Sequence, residues 1–176
     1  MNTTLKTVKV SSRIVAIAAA TLVVAAAVAI IGISIAPLRL VLTDADTGRT
    51  YAAFDLADGG EFSITFVHSV NKSPVTEVYV RRGRDIYVTT CIYSTLGAGV
   101  ATTVEEGQHV ERDAQGRWVL SGIDTKIDDL VYFVGTVSDH VLSIGGREIS
   151  LRDLCGRNAK VRFSVRRSLA ATNAGE

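Results

Sequence analysis

The chain has 176 residues, 47% of them hydrophobic, with 19 basic and 18 acidic residues and a formal net charge of +1. That near balance excludes the basic patch on which nucleic-acid binding depends, and it gives no electrostatic reason for adhesion to anionic lipid. Lys6, Lys9 and Arg13 are the only charged residues before Pro37, so the sequence splits into an apolar N-terminal part and a mixed remainder of ordinary single-domain length.

From Ile14 to Ala36 there are 23 residues without a charge. As a helix this run would extend about 34 Å, enough to cross a hydrocarbon core of about 30 Å. A helix is the form an isolated span must take, because its backbone groups have to bond one another. Pro37 cannot continue the ladder and marks the end. The basic residues before the run hold that flank in the cytoplasm and send the rest of the chain across. A cleaved signal peptide is the competing reading, but its apolar core would be about 7–15 residues, and Pro37 after Ser34-Ile35-Ala36 suits no cleavage site. The expected layout is a cytoplasmic flank at 1–13, a transmembrane helix at 14–36, an extracytoplasmic β domain at 37–167 and a disordered tail at 168–176. The protein would then be a single-pass protein of the cytoplasmic membrane with its N-terminus inside.

Beyond Pro37 the pattern is that of strands. Leu38–Thr43 and Arg49–Asp55 flank the polar turn Asp44–Gly48, whose Asp-x-Asp-x-Gly spacing lacks the later ligands of a calcium loop. Phe62, Ile64, Phe66 and His68 alternate with Ser63 and Thr65. Val75–Arg82 and Asp85–Tyr93 meet at Gly83 as a hairpin. Weaker strands follow at Gln108–Arg112 and Arg117–Ser121, then a continuous apolar strand from Leu130 to Val137. His140–Ile144 and Arg147–Leu151 surround Gly145-Gly146, a type I′ hairpin signal, and Ala159–Arg167 is the last strand. About nine or ten short strands with frequent turns predict an antiparallel β-sandwich or a partly open β-barrel, with no helix outside the anchor.

The densest polar cluster runs from His68 to Glu77, ending one strand and starting the next. Ser69 and Lys72 have the S-x-x-K spacing of Ser/Lys acyl-transfer enzymes, which works when a helix stacks the two; here the pair follows a strand and runs into Pro74. An exported hydrolase would use Ser69 with Lys72 or His68. A metal or ligand sensor would combine His68, His140 and Glu77, with His109 further off, but the spacing of these residues is not diagnostic and no metal is assigned. Polar recognition is a third reading. Ser69, Lys72 and Ser73 would hold a carboxylate at the rim, with Gly97 and Gly99 admitting close backbone approach. The structural alternative is a hairpin connection in which Glu77 pairs with Lys72. Cys91 and Cys155 either form one disulfide in the oxidising compartment or are two small buried side chains.

The stretch His68-Ser-Val-x-Lys-Ser-Pro-Val-x-Glu77, followed by Tyr93-Ser94-x-x-Gly97-Ala-Gly99, resembles the DUF1850 family. Val134-Gly135 with His140, Leu151-x-x-Leu154-x-Gly156 and Val161-x-Phe163-x-Val165 agree with it, so the likeness covers residues 39–166. Val100-Ala101 departs from it, since a proline is expected after the Gly-Ala-Gly turn. The resemblance implies a partner of TAXI-type TRAP transporters, either the membrane subunit or the extracytoplasmic solute-binding protein. It carries no catalytic residues. The combined expectation is a membrane-anchored, non-enzymatic transporter accessory without a cofactor.

Overall fold

The computed structural model describes residues 12–70, 72–95 and 104–168. The chain divides into two units, Met1–Ala36 and Pro37–Glu176. The first contains α1 (Ser12–Ile35), built from alanine, valine, leucine and isoleucine. Thr21 donates its hydroxyl to the Ile17 carbonyl at 2.9 Å, so the helix satisfies this polar group itself. Apolar side chains on successive turns, among them Ile17, Leu22, Val24, Val28 and Ile31, are exposed. Side chains are described without a break over 17–32, and among the described residues no helix is long and apolar enough to cross a membrane. The span expected over 14–36 therefore rests on the sequence.

The second unit is mainly β. In chain order it contains β1 (Leu38–Asp44), β2 (Thr50–Asp55), β3 (Glu61–Val67), β4 (Pro74–Arg82), β5 (Asp85–Tyr93), β6 (His109–Arg112), β7 (Trp118–Ile127), β8 (Leu130–Phe133), β9 (His140–Ile144), β10 (Arg147–Ser150), the short helix α2 (Leu151–Cys155) and β11 (Lys160–Arg167). The strands form a four-stranded sheet, β2-β1-β11-β8, and a seven-stranded sheet, β10-β9-β3-β4-β5-β7-β6. The pairings in both are antiparallel. The sheets stay separate and neither closes into a barrel.

Alternation decides which residues lie between the sheets. Leu40 and Leu42 of β1, Phe54 of β2, and Val161 and Phe163 of β11 join Phe62 and Ile64 of β3 and Leu142 and Ile144 of β9 in one core. Phe62 and Phe163 stack across the two sheets with ring centroids 6.0 Å apart. Each such side chain contributes roughly 1.5–3 kcal/mol when removed from water.

Three expectations about elements need correction. The strand begun at Leu130 ends at Phe133 rather than Val137, because the chain folds back at Gly135, where an added Cβ would lie 2.4 Å from the Ser138 carbonyl oxygen. β7 runs past Ser121 to Ile127, and its register with β5 shifts beside Gly122, whose φ is 76°. Finally, α2 is a helix where none was expected outside the anchor. Ser150 caps it by accepting the Asp153 N–H at 3.0 Å, and Leu151 is buried. The tail from residue 169 lies outside the described residues.

Candidate functional site

Strand register gives the β unit two ends. The chain enters at Leu38, opposite Arg167, where buried Arg81 donates to the carbonyls of Leu38 and Leu56. At the other end Phe133 of β8 pairs with Lys160, Val67 of β3 pairs with Pro74, and Phe66 pairs with His140. Two connections meet there, the β3–β4 turn and the β8–β9 loop. They form a cleft of about 310 Å³ lined by Val67, His68, Ser69, Lys72, Gly135, Thr136, Val137 and Ser138.

The turn is held by its own backbone. His68 donates its N–H to the Ser73 carbonyl at 2.9 Å, and Lys72 donates to the His68 carbonyl at 2.9 Å. The Val70 N–H donates to His68 Nδ1 at 3.3 Å. Lys72 has a φ of 52°, in the left-handed region, and Ser69 and Lys72 belong to a turn rather than to a helix. The Lys72 side chain is exposed, and among the described residues its ammonium has no ion-pair partner.

The opposing loop is buttressed by α2. Asp139 Oδ1 accepts the N–H groups of His140 at 2.7 Å and Arg152 at 3.0 Å. Arg152 Nη2 donates to the Val137 carbonyl at 3.0 Å. The Gly135 N–H reaches His140 Nδ1 at 3.4 Å.

Behind the cleft lies a polar and aromatic cluster between the sheets. His140 stacks on Phe66 at 5.3 Å and meets the Tyr132 ring edge-on at 5.6 Å. Glu77 sits opposite Cys91 on β5 and accepts from Tyr79 Oη at 3.0 Å and from Tyr132 Oη. The two phenols are themselves 2.7 Å apart. Burial, followed by the neighbouring acidic groups, raises the pKa values of both tyrosines. Burial also lowers that of His140, against the opposing pull of Asp139 and Glu77.

The expected site residues thus separate. His68, Ser69 and Lys72 share the cleft. Ser73 does not line it, because its hydroxyl accepts from Thr95 Oγ1 at 2.9 Å and its carbonyl closes the turn. Glu77 faces the tyrosines, so the expected pair with Lys72 is not formed. His140 supports the loop from behind. Gly97 and Gly99 lie outside the described residues, as does Asn71. Among the described residues no group of three or more His, Cys, Asp or Glu side chains is placed to hold a metal ion, and His109 stands on β6. Of the two readings left open for the cysteines, the structure has both thiols free. Cys91 is held within the seven-stranded sheet beside Leu120, whereas Cys155 closes α2, where Asp44 and Arg49 act on it. Reading the sequence missed Gly135–Ser138, although the glycine inside that apolar run was the available signal.

A family model described as a domain of unknown function, DUF1850, matches residues 62–151. The chain belongs to the DUF1850 family. The matched segment holds nearly the whole seven-stranded sheet, β8, both cleft connections and the Glu77–Tyr79–Tyr132 cluster. The strands β1, β2 and β11, which complete the smaller sheet of this DUF1850 protein, fall outside it. No curated protein and no solved structure matches the chain.

Proposed function

We propose that this DUF1850 protein is a membrane-anchored extracytoplasmic module that recognises rather than converts, and that it serves a TAXI-type TRAP solute transporter. The observation that carries the recognition reading is the β3–β4 turn. It brings Ser69 and Lys72 to one cleft on a turn rather than a helix, and among the described residues the Lys72 ammonium has no ion-pair partner. The anchor reading draws on the uncharged run from Ile14 to Ala36, on Lys6, Lys9 and Arg13 before it, and on the exposed apolar side chains of α1, a pattern suited to lipid. The transporter assignment comes from the family resemblance in the His68–Glu77 block.

The full chain, solubilised from membranes in mild detergent, should co-purify with the TRAP membrane subunit or its solute-binding protein. Deleting it in a strain that depends on that transporter should lower uptake. Unaltered uptake, with no transporter subunit recovered, would refute the assignment.

A further inference from the structure

We infer that the cleft between the β3–β4 turn and the β8–β9 loop is a binding site for a small aliphatic carboxylate. The inference rests on the recognition reading but not on the transporter assignment. Its first support is charge. The described lining residues include Lys72, His68, Ser69, Thr136 and Ser138, with no acidic residue among them. Of the acids close in sequence to the lining, Asp139 Oδ1 accepts two backbone N–H groups, and Glu77 accepts two phenols on the inner face. An anion entering the cleft therefore meets the Lys72 ammonium and no carboxylate among the described lining residues, the combination that favours charge-assisted hydrogen bonds.

The second support is the apolar part of the wall. Val67 and Val137 line the same cleft and are 40% and 91% exposed, so neither is spent on the core. A ligand with a carbon chain gains from covering them, whereas inorganic phosphate or sulfate does not. The volume, about 310 Å³, lies at the small end of ligand cavities and suits a short acid rather than a lipid. The third support is preorganisation. Backbone bonds join His68 to Lys72 and Ser73, and Arg152 ties the opposing loop to α2, which lowers the cost of ordering these described wall residues on binding.

The test is calorimetric titration of the purified full chain in detergent with butyrate, and with butyramide and inorganic phosphate as controls. Saturable butyrate binding is expected, with both controls weaker by about tenfold or more. Lys72→Gln should weaken butyrate by a similar factor and Lys72→Arg should retain it. Val137→Asp, at a solvent-exposed position that the fold does not need, should also weaken it by placing an anion in the wall. Butyrate that fails to bind, phosphate that binds as tightly, or a Val137→Asp protein with unchanged affinity would each overturn the inference.

Discussion

Glu77 lies between Ile64 on one neighbouring strand and Cys91 on the other, on the face that looks into the molecule. A carboxylate there needs hydrogen-bond partners, and it finds them in Tyr79, two residues along, and Tyr132, on the opposite sheet. The first partner is local, but the second is 55 residues away in sequence. This is why the His68–Glu77 block could be recognised as a polar cluster while the destination of Glu77 could not be read from it. Lys72 was misplaced for the same reason, since nothing local shows that its expected partner points inward. Tyr132→Phe removes one hydroxyl and leaves its partners under-satisfied, so thermal unfolding should show a loss of about 1–3 kcal/mol. A double-mutant cycle with Glu77→Gln should then be strongly non-additive. The tyrosines also set an alkaline limit. Tyr79 and Tyr132 keep their protons to higher pH in the folded state than in the unfolded chain, because burial and then neighbouring negative charge oppose ionisation. The folded state consequently binds more protons above the ordinary phenol range near pH 10. Stability contributed below that range should be lost as pH rises through it. Denaturant midpoints measured across this window should fall, and less steeply in Tyr132→Phe.

At the level of elements, the hairpins were the most legible features because their signals are local. Gly145 and Gly146 have φ values of 56° and 74°, as a type I′ turn requires, and β9 pairs with β10 in the register that turn sets. Gly146→Ala should cost about 1–2 kcal/mol, through the left-handed backbone alone. Gly135 acts differently, since its Cα–H faces the Ser138 carbonyl too closely for any Cβ. Gly135→Ala should lower the melting temperature and weaken ligand binding together, whereas Gly146→Ala should change only the former. The apolar run Leu130–Val137 read as one strand because hydrophobicity does not report where a chain turns back. The helix α2 escaped notice because its five residues span little more than one turn, too short for a helical period to emerge. Burial pushes the Cys91 thiol up to about 11 and that of Cys155 up to about 12, so both are poor nucleophiles at neutral pH. A thiol reagent should label the native chain slowly and release two equivalents on denaturation. Finding none would restore the disulfide.

For the molecule as a whole, the sequence announced strands in abundance but not their division into two sheets. The smaller sheet joins β1 and β2 to β11, elements from opposite ends of the β unit, and such pairing depends on long-range packing rather than on any local period. The cleft depends on where β8 stops, because the β3–β4 turn gains its second wall from the chain that folds back at Gly135. The cleft end of the β unit lies opposite the end that holds Leu38. An apolar N-terminal helix would carry that unit across the membrane and tether it there, which is the premise of the transporter role. Protease added to spheroplasts is the most direct test of this premise. The account predicts that the β unit is digested while a cytoplasmic marker survives and a fragment containing residues 14–36 stays in the membrane. A β unit that survives in intact spheroplasts and is cut only after lysis would contradict it.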